Sequence, residues 1–447
     1  MCAISARSGS ELAARLRFDA SLLPWGAAGV VFALGLLKHS SRWLVVLVFV
    51  FAWHGAAQWQ RLATPRTGEF SGVVFARSDP VVKRGAVSLV VEVEGENFRL
   101  VARGRARNAL QTVRMGDALL VDANRTAYDS RRLRSVAGRH VQGELREVSV
   151  HATAPSLALW HRAANRVRDL VDRGSRTMHA NDAALVRGLV LGDESRQPSR
   201  MTEAFRQAGL GHVLAVSGQN VVLLLAALMP ALRRLSPWSR LYATLAVVAM
   251  FALVTRLESS VIRASVMAAV VQVGFTIGRD VAPLRALAFT VIAIVALDPL
   301  ATWSVGFVLS VAATAGLIVI TPWFGKSVFA ATTAAQLGVA PFALLWFGSL
   351  PSIALVTNVF ALPVASFVMT VGPLVLGLAA LVPDGAAGLV AFPIVAATRW
   401  VWWVADIGAR CAPTGWLNVA GWAAIVFWAV RSIADEVRYV GHPRARL

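Results

Sequence analysis

From about Gly209 onward the chain is a succession of apolar stretches separated by short polar joints, at roughly residues 212–232, 240–255, 259–277, 284–297, 301–320, 327–347, 352–382, 387–405 and 415–430. This feature constrains the fold most. A helix of about 20 apolar residues crosses the hydrocarbon core of a bilayer. Lipid offers no partner for backbone N–H and C=O groups, so such stretches must be helices that satisfy their own backbone. The run at 352–382 is long enough for two spans, which predicts about nine or ten spans in this region. Composition agrees: 56% of the 447 residues are apolar and 15% are charged, against about a quarter charged in a soluble domain.

Two shorter runs precede these, at residues 22–37 and 43–59, joined by a basic segment containing Lys38 and Arg42. They read as an N-terminal transmembrane hairpin over residues 1–64, bringing the total to about a dozen spans. The first twenty residues hold no apolar core, so no cleavable signal peptide is expected. Lys38 and Arg42 favour a hairpin turn on the cytoplasmic side, whereas Arg7, Arg15 and Arg17 pull the other way. Arg431, Arg438, Arg444 and Arg446 favour a cytoplasmic C-terminus, with a basic tail over residues 433–447.

Between the hairpin and the main apolar region the period changes. Over residues 65–152 apolar and polar residues alternate in GVVFARS, AVSLVVEVEG, NFRLVARG, ALLVDANR and VQGELREVSV. Alternation of this kind marks short antiparallel strands. Roughly five strands in a segment this short suit a small closed barrel such as an OB-fold. The expected fold class is therefore a polytopic α-helical membrane protein with an inserted β-barrel near the N-terminus. Residues 153–182 form a linker. Within it Leu157, Trp160, Ala164, Val167 and Val171 recur at helical spacing opposite Arg162, Arg166, Asp169 and Arg173. Such a helix either lies in the membrane interface or packs on the barrel.

The net charge is +19. Two readings compete for it: the excess of Lys and Arg that positive-inside topology gives any membrane protein, or a polyanionic partner such as nucleic acid. Chemistry signatures are missing. Cys2 and Cys411 sit at opposite ends, which argues against a disulfide framework or a cysteine metal site. The eight histidines form neither H-x-H nor H-E-x-x-H, and there is no P-loop and no G-x-S-x-G elbow. No metal, no cofactor and no catalytic residue are expected, and the chain is not read as an enzyme.

Four places put polar residues where lipid penalises them. Residues 188–220, GLVLGDESRQPSRMTEAFRQAGLGHVLAVSGQN, place Asp193 in a Gly/Pro-bounded turn and lead through Gly209, Gly211 and His212 to Ser217, Gly218, Gln219 and Asn220 at a helix entrance. That pattern reads as a broken or re-entrant element lining a cavity, or as an ordinary capped helix. In ESSVIRA, Arg263 lies one turn inside an apolar helix, where it pairs with a carboxylate, snorkels to the headgroups or meets an anion. In DPLATWSVGFVLS, Asp298 ends a helix while Gly306 and Ser310 suit close helix packing. In AQLGVAPFALLWFGSLPSIALVTN, Gln336, Pro341 and Asn358 supply an amide, a kink and a second amide. The amides are interhelical glue or the lining of a polar route.

With these four places in order, the sequence resembles the ComEC family of bacterial competence proteins from about Ala183 to Val364. GLVLGDESRQ followed by FRQAGLGHVLAVSGQNVVLL looks like the family's leading signature. The stretch from ESSVIRASVMAAVV to DPLATWSVGFVLSVAATAGL is similar to its next block, and AAQLGVAPFALLWFGSLPSIALVTNVFALPV to its last. The resemblance implies a channel domain over residues 183–432 that passes single-stranded DNA through the bacterial inner membrane during natural transformation, with the OB-like domain outside. It implies a DNA path holding Asp193, His212, Ser217, Gly218, Asn220, Arg263, Gln336 and Asn358, and a basic stripe of Arg99, Arg103, Arg105 and Arg107 on the OB-like domain. Expected partners are lipid, single-stranded DNA, a membrane-anchored DNA receptor, a cytoplasmic ATP-driven translocase and a separate nuclease. The nuclease is expected because many members continue into a metallo-β-lactamase-like domain, whereas this sequence ends at Leu447. Asn220 stands where the family usually has a second histidine, so that histidine's charge cannot be carried over. The alternative is a small-solute or lipid transporter of the same fold, which coupling carboxylates deep in the spans would mark.

Overall fold

The computed structural model describes residues 7, 39–83, 85–214, 216–324, 327–348 and 350–440. The expected first run at 22–37 lies outside them, as does the end of the basic tail past Val440. The chain divides into two compact units, residues 1–165 with 288–308, and residues 166–287 with 309–447.

In the first unit, α1 (His39–Ala63) contains the second expected run and leads into six strands: β1 Gly68–Ala76, β2 Val81–Lys83, β3 Ala86–Val93, β4 Glu96–Ala102, β5 Ala118–Ala127 and β6 Val141–Ala154. They hydrogen-bond in the order β1-β5-β6-β4-β3-β2, and β1 also meets β3 through Phe75↔Glu92 and Ala76↔Val91. The pairs are antiparallel except β4 with β6, which is parallel. Alternation in the sequence becomes alternation in burial. On β3, Val87, Leu89, Val91 and Val93 all point inward. Phe98 and Leu100 from β4, Leu119 and Val121 from β5, and Leu145 from β6 complete the core. Each fully buried side chain of this kind contributes about 1.5–3 kcal/mol. The β3–β4 hairpin turns on Glu94-Gly95, both at positive φ, 51° and 85°, as a tight two-residue turn requires.

Two short helices fill the longer connections. α2 (Gly104–Leu110) drops Leu110 into the sheet core. α3 (Ser130–Val136) starts at Asp129, whose Oδ1 accepts from the Arg132 N–H at 3.0 Å. Beyond it, Trp59 and Leu62 of α1 pack with Leu133, Ala137 and Leu300. The Trp59 and Trp303 rings lie 5.0 Å apart, and the His140 ring meets Asp298 at 2.9 Å.

The amphipathic helix expected at 156–176 is α4 (Leu159–Gly174). Of the apolar face expected there, Ala164 and Val171 are buried, together with Arg168, whereas Leu157, Trp160 and Val167 are exposed. The remaining elements are α5 (Ala180–Leu191), α6 (Ser199–Gln207), α7 (Gly211–Leu214), α8 (Gly218–Leu232), α9 (Pro237–Val254), α10 (Ser259–Thr276), α11 (Pro283–Leu297), α12 (Val305–Ile320), α13 (Val328–Phe347), α14 (Ala354–Ala379), α15 (Asp384–Arg410) and α16 (Gly415–Val440).

Among the described residues six helices are long and apolar enough to cross a membrane: α9, α10, α12 with its following turn, α13, α14 and α15. Three shorter apolar helices are α8, α11 and the first half of α16. The run at 352–382 holds one 26-residue helix, α14. At 1.5 Å per residue it is about 39 Å long, and it carries Pro363 and Pro373 without ending. Hydroxyls inside the long helices bond back to their own turn: Thr314 to Ser310 O, Thr333 to Phe329 O, Thr370 to Ser366 O and Thr398 to Ile394 O, at 2.6–2.9 Å. This removes the cost of a bare hydroxyl in an apolar setting. α12 and α13 approach backbone to backbone, since a β-carbon on Gly316 would stand 2.5 Å from Ala334 O and 2.9 Å from Gly338 Cα.

Candidate functional site

The site is built where the chain refuses to continue a helix. α5 ends at Gly192, whose φ of 71° lets its N–H return to Arg187 O and Gly188 O. Asp193 follows, and its Oδ1 accepts from Ser195 N at 3.0 Å. Arg168, 3% exposed, donates to Leu191 O at 3.2 Å and Val254 O at 2.8 Å. Its other nitrogen lies 3.7 Å from the Asp193 carboxylate. Arg168 therefore satisfies carbonyls that two helix ends, α5 and α9, leave without partners, and Asp193 neutralises it.

α6 ends the same way at Gly209, with φ 73° and Leu210 N bonded to Phe205 O at 2.7 Å. Glycine is required here twice over: the conformation is left-handed, and a β-carbon would overlap that of Ala354 on α14. Thr357, on the same helix, donates its hydroxyl to Ala208 O at 2.8 Å. α7 then lasts only four residues before the helix breaks and restarts at Gly218 as α8.

The break is clamped by α10. Ser260 Oγ donates to Val216 O at 2.7 Å. Arg263, 6% exposed, donates from Nε to Ser310 Oγ on α12 at 2.8 Å. Its Nη2 lies over the first turn of α8, 2.6 Å from where a Gly218 β-carbon would be. Ser217 stands at the N-cap of α8 but does not cap it; its hydroxyl goes to Asn220 Oδ1 at 3.3 Å. Asn220 is 5% exposed. Gln219 turns outward and donates to Ser366 Oγ on α14 at 3.0 Å.

The structure thus brings Ser217, Gly218, Asn220 and Arg263 together. Gly192 ties the Asp193 turn to the same place, because a β-carbon there would reach Val216 Cγ2 at 2.7 Å. His212 is exposed on α7. Asn358 is 2% exposed, and no hydrogen bond joins it or Gln336 to this group among the described residues. One oxygen of each amide, Asn358 Oδ1 and Gln336 Oε1, is buried without a partner. The sequence marks Ser310 only as a small residue suited to helix packing and gives no sign of the role of Arg168. A serine in an apolar run looks the same whether it bonds its own helix or a neighbour, and an arginine on an amphipathic helix looks like part of the wet face.

The four arginines expected as a stripe fall on more than one element. Arg99 is exposed on β4, Arg103 precedes α2, and Arg105 and Arg107 are on that helix. The alternating strand ends at Ala102, before Arg103, Arg105 and Arg107. The charge of Arg99 instead acts on the Tyr128 phenol. Beside that phenol a cavity of about 710 Å³ is lined by residues including Tyr128, Arg131, Arg132, Glu144 and Arg146. Arg132 lies over the Tyr128 ring at 4.2 Å and 3.7 Å from Glu144. Burial pushes the Tyr128 phenol above its ordinary value, so it keeps its proton at neutral pH.

Residues 189–435 match the family model described as Competence protein. A 200-residue stretch is 26% identical to ComE operon protein 3 of Bacillus subtilis strain 168, covering 43% of this chain and 26% of that protein. The chain therefore aligns with about a quarter of the length of this curated relative. No solved structure matches.

Proposed function

Because this chain belongs to the competence protein family, matched over 247 of its 447 residues (189 to 435 inclusive), we propose that its helical unit forms the route by which one strand of DNA crosses the bacterial inner membrane. One observation carries the reading. Within the matched region one helix ends at Leu214 and an apolar helix starts at Gly218, and a buried arginine closes on that start. Broken helices at membrane depth persist where protein buries them or where they line a path for a polar solute, and a buried cation held at the break favours the path. The grouped residues Ser217, Gly218, Asn220 and Arg263 sit at that break. His212 and Asp193 flank it in sequence, and Gln336 and Asn358 bring buried amides from α13 and α14.

In this reading the sheet of the first unit is an OB-like barrel on the extracytoplasmic side. The pairing supports it: β1-β5-β6-β4-β3 and back to β1 makes a ring of five, with one parallel pair and a helix between β4 and β5. Single strands bind such surfaces through cations that follow phosphates and rings that stack on bases. The cleft beside Tyr128 supplies Arg131, Arg132 and Arg146 beside one ring. A receptor that delivers DNA, a cytoplasmic translocase and a separate nuclease complete the proposed route.

The test is genetic. In the organism that carries this gene, grown to competence, deletion should abolish entry of labelled DNA into a nuclease-protected cytoplasmic pool. Reintroducing the intact chain should restore it. Entry at the parental rate in the deletion strain would remove this function.

A further inference from the structure

We propose that the first turn of α8 and the Arg263 guanidinium together form a binding site for a phosphodiester group. The inference rests on the strand-path reading, under which the occupant is the backbone of single-stranded DNA.

Arg263 is buried to 94% (6% exposed). Its one hydrogen-bond partner among the described residues is the uncharged Ser310 hydroxyl, and no carboxylate there pairs with it. The other buried arginines of the unit are provided for. Arg187 meets Asp172 at 2.8 Å, and Arg168 has two carbonyls and Asp193. A cation taken out of water without a counter-charge is costly, and native proteins avoid it by pairing or metal binding. Arg263 has only half of that provision: Ser310 fixes its direction and nothing neutralises it.

The group it points at makes matters worse in the absence of a ligand. The N-terminus of a helix carries partial positive charge and unsatisfied N–H groups. α8 has fifteen residues and no side chain capping its first turn. Gly218 lacks a side chain, and Arg263 Nη2 occupies the space one would fill. Two positive groups are therefore held in contact. Ser260, bonded to Val216 O, and Ser310, bonded to Arg263 Nε, keep them there. An anion that bridges the two turns the repulsion into attraction.

The geometry favours a phosphodiester. A planar guanidinium fork donates to the two unesterified oxygens of one phosphorus, whose remaining lone pairs can accept from helix N–H groups. A diester brings one negative charge, which matches a single cation and leaves no surplus to trap it. For a polymer moving along a path, binding must be weak enough to release each phosphate to the next.

The experiment uses the full chain purified in a phosphate-free maltoside detergent, with thermal unfolding followed by tryptophan fluorescence. The wild-type midpoint should rise with inorganic phosphate and with hexathymidylate, and not with the uncharged methylphosphonate hexamer. Arg263→Gln should weaken hexathymidylate binding at least about tenfold. Its ligand-free midpoint should equal or exceed wild type, because an uncompensated buried charge is gone. A purely structural arginine would give the opposite shift. Arg263→Lys, which keeps the charge and loses the fork, should fall between. If Arg263→Gln does not accumulate, Gly218→Ala, which displaces Nη2, takes the same binding test and the same expected loss. Wild-type ligand response in these variants overturns the site. So does a rise with short-chain phosphatidylglycerol and none with hexathymidylate. The two readings separate in cells: normal DNA entry in Arg263→Gln beside lost entry in the deletion strain sinks the phosphodiester site alone, whereas normal entry in the deletion strain sinks the path.

Discussion

Glu94 shows how much a single side chain on the sheet is asked to do. It sits at positive φ in the two-residue turn of the β3–β4 hairpin, and its Oε2 takes Arg66 at 2.9 Å and Arg125 at 3.0 Å. The hydrogen bond from Arg66 and then that from Arg125 hold its carboxyl below the ordinary 4.5. A folded value below the unfolded one means the contribution is fully present above about 4.5 and is lost as pH falls through the lower, folded value. Hydrogen exchange on the full chain checks this at fixed pH, where intrinsic rates cancel between variants. Glu94→Gln should be less protected than wild type across β3 and β4 at about pH 6. The difference should close as pH drops below 4.5. A difference that stays constant through that window counts against the pair. At this scale the sequence was legible where residue type clashed with surroundings: Arg263 in an apolar helix, and the glycines and amide at 209–220. It was silent on partners. Ser310 and Arg168 act through residues 47 and 86 positions away, and no local pattern carries such a distance.

Elements were legible by period, and their ends by glycine and proline. The alternating strands, the amphipathic helix at 156–176 and the long apolar helices all follow from periods of two and about 3.6. Length alone misled at 352–382, where the run forms one 26-residue helix and not two. Packing against neighbours can hold a proline inside a membrane helix, as at Pro363 and Pro373 of α14. The approach of α12 to α13 was legible only as a supply of small residues, not as a pairing. Gly316 and Gly338 face each other so closely that a β-carbon on Gly338 would stand 2.5 Å from Ala312 O and 2.9 Å from Gly316 Cα. Backbone cannot yield as a flexible side chain does. Gly338→Leu should therefore push the helices apart and cost about 1–3 kcal/mol, read as a lower thermal midpoint in detergent. Gly377→Leu, where nothing lies within 4 Å, is the matched control and should leave the midpoint nearly unchanged. Equal losses at both positions would show that the crossing is not what the first substitution disturbs.

At the scale of the molecule, the two cationic sites proposed for DNA are of different kinds. In the helical unit Arg263 is buried and fixed, so it suits one phosphate at one position. In the first unit Arg131, Arg132 and Arg146 are exposed around an open cleft, where solvent and salt reach them. The family match covers residues 189–435, so of the first unit only residues 288–308 fall within it, and the proposal that its sheet meets DNA stands on the sheet's own geometry. That geometry was not legible as one domain, because residues 288–308 join it from far along the chain through Leu300, Trp303 and Asp298. Exposed cations that neutralise phosphates release counterions, and the logarithm of the affinity for a single strand then falls with the logarithm of salt by about 0.7 per phosphate neutralised. Replacing both Arg131 and Arg132 with Gln should lower that slope by about 1.4 if each neutralises one phosphate. Arg132 already shares its charge with Glu144 at 3.7 Å, so the measured drop should fall somewhat short of that figure. The measurement is anisotropy of a labelled oligothymidylate titrated with the full chain at several salt concentrations. Arg131→Gln alone should account for more than half of the change, since no carboxylate of the described residues pairs with it. A slope unchanged in the double variant would take the cleft out of the route and leave the strand to be met first by the membrane helices.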